Sequence, residues 1–400
     1  MTRRDVVYLP ALGIVSALGR GKDAVRHHLF AGERPGVVSR SDLLIDGSPV
    51  FVGAVGGTLP SVPEDLSAYA SRNLALTIAA ADEIRPDIED AISRYGKGRI
   101  AVVMGSSTSG ISEGEQAVEH ARSTGCLPAD FDMRKQELGS TGEALARYLG
   151  LEGPALSVST ACSSGAQALA MGRRLIRSGL VDAVVAGGAD SLCRLTVNGF
   201  HALSAHSAGI CNPFSRNRDG TMMGEGAALF LIDSAESEIA LLGSGATTDA
   251  HSMTAPEPDG RGVEEAILQA LADAGLSPEA IDYVHLHGTG TLHNDPVESS
   301  VVSRLFGADM PSSSSKGQIG HTLGAAGAMG AAHCWLAGHS SNSGRFLPPH
   351  VWDGAAEPGL LSDSLVSVGT RLGSGAKGLF LSNAIAFGGN NVVLVLGGAA

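Results

Sequence analysis

The chain has 400 residues, 44% of them hydrophobic but only 4% aromatic, and carries a net charge of −13 from 28 basic and 41 acidic side chains. That length suits two or three structural units at roughly 100–200 residues each, and the acidic balance argues against a nucleic-acid or anionic-membrane binder. Five cysteines without a C-x-x-C pair argue against a disulfide scaffold or zinc ribbon and fit a reducing, cytoplasmic setting, and no run reaches the roughly 18 apolar residues of a membrane span.

Arg3 and Arg4 precede an apolar stretch from Val6 to Leu18 that Pro10 and Gly13 interrupt. It reads as a buried first strand, Val6–Leu9, and a turn, rather than as a signal peptide. Lys22–Ala31 and Ser71–Ile84 have helical periodicity. Arg99–Met104 is a short buried strand running into the loop GSSTSG. Leu156–Thr160 is another strand, and it leads into ACSSGAQALAMGRRLIRSG, a helix closed by Gly179. Val181–Ala186 and Ala227–Ile232 complete this part as strands.

The pattern then begins again. Ile239–Leu242 is a strand, Val263–Ala274 a helix and Ile281–Leu286 a strand. Pro296–Leu305 is a helix with proline in its first turn, and Gly324–Ala337 is a helix of small residues. The serine run Ser312–Ser315 reads as a strand edge or loop, and Leu379–Ser382 and Val392–Leu396 are the last strands. GEGAALFLID closes the first series and GGNNVVLVLGG the second, a weak internal duplication with its boundary near Asp233–Glu238. Strand–helix alternation in both halves predicts α/β layers.

Four segments carry chemistry. Cys162 sits where a strand turns into a helix, like the exposed nucleophile of a strand-to-helix elbow. The helix start would favour its thiolate, and a buried structural cysteine is the alternative. In HLHGTGT, His285 and His287 share one strand face and His287 stands at the strand end. A metal set of His285, His287 and His293 has no cysteine or carboxylate cluster behind it. In KGQIGHTLGAAGAMG, Lys316 and His321 flank a glycine-containing turn; alone, the lysine could be a solvated charge and the histidine a helix cap. In SNAIAFGGNN, Phe387 precedes paired glycines whose loop amides could face a ligand, though an aromatic there is more often core.

Taken together and in this order, TACSSGAQAL, NPFSRNRDG, MGEGAA, HGTGT, NDPVES, KGQIGHTLGAAGA and AFGGNN resemble the β-ketoacyl-acyl carrier protein synthases of the elongating, Cys-His-His type. The resemblance covers nearly the whole chain. It implies a thiolase-like fold of two similar α/β halves, residues 1–235 and 236–400, in five layers: helix, sheet, helix, sheet, helix. It implies a decarboxylative Claisen condensation in which acyl carrier protein delivers an acyl group to Cys162 and a malonyl group then extends it. By the same resemblance, His287 and His321 donate hydrogen bonds to the enolate, and the amides of Cys162 and Phe387 form the oxyanion hole and gate. Lys316 fixes the local charge with Glu298 as its partner, and Asp295 supports that network. No metal or organic cofactor is implied. A dimer is, identical or with a related chain.

The chain also departs from the family pattern. Leu292 and His293 follow HGTGT where proline is usual, and Ile385 and Ala386 stand where the final loop usually has Phe and Gly. Thr108 replaces a bulkier aliphatic in the segment that resembles the acyl-pocket lining. Thr108 and Ile385 are therefore expected to leave room for a wide or long acyl chain. Arg72, Arg134, Lys135 and Arg216 fall in segments resembling the carrier-docking surface. SLCRLTVNGF, CNPFSRNRDG and HTLGAAGAMGAAHCWL are closer to synthases of aryl-polyene pigment clusters than to housekeeping ones. Two other roles use the same fold. A thiolase-like acyltransferase needs a second cysteine near the GGNNVV loop, which has none; a non-catalytic chain-length partner would lose the nucleophile that this chain keeps.

Overall fold

A computed structural model describes residues 6–398; Arg3, Arg4 and Asp5 lie outside the described residues. Its centre is an eleven-stranded sheet. One end runs Ala155–Val158, Ile100–Gly105, Ala183–Asp190, Gly226–Asp233 and Val7–Ser16. The other runs Ser312–Ser313, Tyr283–His285, Leu379–Ile385, Asn390–Gly397 and Ala240–Thr248. Numbered within its own half, each series has the order third, second, fourth, fifth, first. The two first strands meet in the middle, antiparallel, through Val7 opposite Leu241 and Tyr8 opposite Ala240. The two expected sheets are thus hydrogen-bonded into one at a short seam.

The first strand is longer than its sequence suggests. Pro10 has no amide to donate to a ladder, and the pairing with Gly226–Asp233 shifts register between Tyr8 and Ala11. A bulge absorbs the proline, and the strand continues to Ser16.

Alternation along the strands separates the layers. Val103, Ala186, Phe230, Phe380 and Leu394 face a central core with the helices Ser164–Arg177 and Ala326–Gly338. Val102, Met104, Val185 and Leu229 face an outer layer that includes the helices Arg72–Glu83 and Ser140–Leu149. Val284, Leu381, Val393 and Val395 face the opposite outer layer, with Arg261–Ala274 and Asn294–Phe306. The central helices approach closely because small residues meet reciprocally. A Cβ on Gly165 would lie 2.9 Å from Ala328, and one on Gly327 would lie 2.7 Å from Ala166. Among the described residues, no helix is long and apolar enough to cross a membrane.

Candidate active site

The site lies beyond the carboxyl ends of the parallel strands, where open α/β sheets place their loops. Ala155–Val158 ends just before a turn in which Ala161 adopts φ 51°, unfavourable for a residue with a Cβ. That turn aims Cys162 into the molecule, and the helix Ser164–Arg177 begins two residues later. In the other half, Ser312–Ser313 leads into the turn Lys316–Ile319 and then to His321. His287 stands two residues past the strand Tyr283–His285. The loops of both halves therefore bring Cys162, His287, His321 and Phe387 to one cavity of about 370 Å³.

His321 Nε2 lies 3.0 Å from Cys162 Sγ, while the amide of Leu323 donates to His321 Nδ1 at 3.3 Å. Burial, and then the charge of Lys316, hold His321 well below the ordinary histidine range. A neutral ring accepting at Nδ1 carries its proton on Nε2, so His321 donates toward the sulfur. His287 is likewise buried and neutral, depressed first by desolvation and then by Lys316. The ammonium of Lys316 donates to the carbonyl of His287 and lies 3.5 Å from its Nδ1. That contact puts the ring proton on Nε2, a buried atom with no partner among the described residues in a residue that lines the cavity. The two rings meet edge to face with centroids 5.3 Å apart. The arrangement thus presents two Nε2–H donors next to a sulfur. It can bind an oxygen that gains negative charge and can hold a thiolate.

Cys162 does not start as a thiolate. Burial pushes its thiol up to about 11, against the opposing pull of Lys316 and the amide of Phe387. The expected stabilisation by the helix start is outweighed by desolvation of the buried sulfur.

Glu298 was expected to pair with Lys316. Its oxygens instead accept the amides of His287 at 2.7 Å and Gly288 at 2.8 Å, with Asn383 donating at 3.0 Å. The helix Asn294–Phe306 begins beneath the GTGT loop, so the carboxylate caps that loop and acts on Lys316 only through its field. Asp295 accepts the amides of Phe214 at 2.7 Å and Gly290 at 3.1 Å, and burial raises its carboxyl to about 6.

Ile385 lines the cavity, but Thr108 does not. The amide and hydroxyl of Thr108 donate to Asp190 at 2.9 and 2.8 Å, so its polar atoms are spent inside the GSSTSG loop. This corrects the expectation that Thr108 widens the pocket of this chain. The four candidate docking cations are also engaged. Arg72 clamps the buried carboxylate of Glu225, Arg134 forms a bidentate pair with Asp132, Lys135 lies 3.9 Å from Asp130, and Arg216 donates to the carbonyl of Ala356. The set His285, His287 and His293 does not assemble, because His285 contacts His333 in the core and His293 is exposed. Cys162, His287 and His321 do gather, with donor atoms within 4.8 Å of one another.

Two residues escaped the sequence reading. Phe200 stacks on Phe387 with centroids 5.2 Å apart and stands edge-on to His321. Asp190 accepts from Ser106, Ser107 and Thr108 and from the amide of Gly324, tying the GSSTSG loop to the turn after His321. An aspartate ending the apolar strand VVAGGAD was the available signal.

Comparison with known proteins agrees with this geometry. Residues 81–238 match the family model described as Beta-ketoacyl synthase, N-terminal domain, and residues 239–344 match Beta-ketoacyl synthase, C-terminal domain. Nodulation protein E of Rhizobium meliloti is 31% identical over 86% of this chain and 87% of its own length. The 3-oxoacyl-[acyl-carrier-protein] synthase 2 of Staphylococcus aureus is 31% identical over 80% of this chain and 82% of its own. The solved complex of the ketosynthase ApeO with its chain length factor ApeC, from Xenorhabdus doucetiae, holds a chain that is 42% identical. The match covers 100% of this chain and 99% of that one, with a TM-score of 0.93.

Proposed function

Because the chain belongs to the β-ketoacyl synthase family, we propose that it extends a Cys162-bound acyl group by decarboxylative condensation with malonyl-acyl carrier protein. The observation that carries this reading is the pair of Nε2–H donors, on His287 and His321, beside the sulfur of Cys162.

In the first step Sγ of Cys162 attacks the carrier thioester. The carrier's sulfur leaves and takes up the proton that the cysteine gives up. The tetrahedral oxyanion rests on the amides of Cys162 and Phe387. In the second step the bond from the malonyl carboxylate to its methylene breaks and carbon dioxide leaves. The electron pair moves to the thioester oxygen, held by Nε2–H of His287 and His321. In the third step the enolate carbon attacks the acyl-cysteine carbonyl, and collapse expels the Cys162 thiolate. With a thiol near 11, that sulfur takes up one proton, so each cycle consumes one. The reading requires no metal or organic cofactor, and places the reaction in the cytoplasm with its carrier protein.

A second chain belongs to the assembly. Ala155–Val158 is an edge strand with Leu156 36% exposed, and an open edge of this kind accepts another strand. The 42% likeness to a chain of a ketosynthase–chain length factor complex favours a related chain over an identical copy. That likeness, with the segments noted above, also favours an aryl-polyene pathway over housekeeping elongation. Intact-mass measurement after incubation with acyl-carrier proteins tests the core of the reading. One acyl group on Cys162 is expected; acylation elsewhere, or none with any donor, overturns it.

A further inference from the structure

Behind the catalytic groups lies a second buried pair of imidazoles that the mechanism above does not use. His285 Nε2 is 3.4 Å from His333 Nδ1 and 3.3 Å from the hydroxyl of Ser315. Both histidines are buried. Desolvation and then Lys316 push His333 down to about 3, and desolvation, His333 and Lys316 hold His285 well below its ordinary range. Both rings are therefore uncharged in the folded protein.

The space for this cluster comes from Gly330. A Cβ there would lie 2.9 Å from His285 Nδ1 and 2.7 Å from the hydroxyl of Ser382. Those two polar atoms are buried and have no hydrogen-bond partner among the described residues. They flank a gap that a side chain at position 330 would fill. Two polar rings and a serine in a layer of Ala and Leu are costly unless they hold something in place.

What they join is specific. His285 is the last residue of the strand that delivers His287, which follows it by two residues. Ser315 directly precedes Lys316. His333 lies on the helix Ala326–Gly338, which rises from the turn after His321. The two contacts, both made by His285, therefore cross-link the three segments that carry His287, Lys316 and His321. The tightest geometric demand falls on Lys316, because its contact at His287 decides which ring nitrogen carries the proton.

We infer that His285, Ser315 and His333 form a positioning brace for Lys316 and His287, needed for the decarboxylation step but not for acyl loading. The inference rests on the condensing role proposed above. Loading uses Cys162 and His321, whose contacts run through Leu323 and not through the brace. Decarboxylation needs the Nε2–H of His287, and the contact of Lys316 with that ring sets its tautomer, whereas Lys316 reaches Cys162 and His321 only through its field.

The test separates the two half-reactions. Parent, His285→Leu, His285→Asn and Ser315→Ala proteins are compared by intact-mass acylation of Cys162 and by carbon dioxide release from malonyl-carrier protein. His285→Leu should lower kcat for decarboxylation by about 10–100-fold, the usual cost of a displacement near 1 Å, with KM and acylation little changed. His285→Asn keeps a polar contact toward Ser315 and should recover much of the loss. Ser315→Ala, a small change that spares the fold, should give a smaller loss in the same half-reaction. Parallel loss of acylation and decarboxylation in a folded variant, or unchanged decarboxylation in both His285→Leu and Ser315→Ala, overturns the brace. A parent protein that never acylates Cys162 overturns the condensing role instead.

Discussion

The two halves share a strand order, yet they use the same loops differently. After the second strand, the N-terminal half has Ser106–Gly110, whose hydroxyls and amides are gathered by Asp190. At the matching place the C-terminal half has the loop of His287, whose amides are gathered by Glu298. Both loops are locked by a buried carboxylate. One lock ends in structure, and the other leaves an imidazole nitrogen facing the cavity. After the third strand the contrast is one of chemistry: Cys162 on one side, Lys316 and His321 on the other. The outer edges differ too. Ser312–Ser313 is buried and bridged by Leu365, whereas Ala155–Val158 is exposed. A duplicated scaffold has thus divided labour, with the nucleophile and the open edge in one half and the donors in the other.

This division can be broken by mutation. Cys162→Ala should abolish acylation and lower condensation by at least about 10³-fold, read by product formation from acyl- and malonyl-carrier proteins. His287→Ala should lower decarboxylation by about 10²–10³-fold while Cys162 still loads; equal loss of both steps would erase the functional boundary between the halves. Removing the N-terminal lock should act on stability instead. Asp190→Ala strands several buried donors and should cost at least about 2 kcal/mol, measured by urea unfolding.

The carboxylate behind the GTGT loop supplies a pH test. Burial raises Asp295 to about 6 in the folded protein, against about 3.9 when unfolded. Between those values the folded state holds more protons than the unfolded state, so this group's contribution to stability falls as pH rises. The slope approaches about 1.4 kcal/mol per pH unit and vanishes above the folded value. Asp295→Asn should remove that decline, seen as a smaller loss of urea midpoint between pH 4.5 and pH 6.5. The smallest effect on the fold is expected at the open edge. Leu156→Lys should separate the chain from its partner in light scattering, yet shift folding stability by less than about 0.5 kcal/mol.

Much of this was legible in the sequence because it is local. The helix Lys22–Ala31 has the bounds its periodicity gives. Ser71 caps Arg72–Glu83 by accepting the amide of Leu74. Cys162, His287, Lys316 and His321 stand in short motifs at strand ends, where spacing alone announces chemistry. The reading failed where residues are defined by distant partners. Glu298 looked like a lysine's counter-ion, but the amides it caps are visible only once the loop folds back. Thr108 looked like pocket lining until Asp190, far along the chain, took its hydroxyl. The helix Ile111–Thr124 was passed over because it buries only Gly114 and Ala117 and leaves Val118 half exposed, so it shows no apolar stripe. Phe200 was missed with Arg194–Ala202, which buries only Val197.

The seam at the middle of the sheet has a consequence for how the chain is made. Val7–Ser16 pairs locally only with the short Gly19–Arg20, and its long neighbours, Gly226–Asp233 and Ala240–Thr248, lie more than 200 residues later in the sequence. At about 5–20 residues per second, this apolar segment waits on the order of ten seconds or more for the long strands that cover it. Until more than half the chain has left the ribosome, neither sheet edge it needs exists. Folding that depends on such distant pairing is intrinsically slow and exposes unpaired strands on the way. The middle of the finished sheet is therefore closed by pairings that span more than half of the sequence.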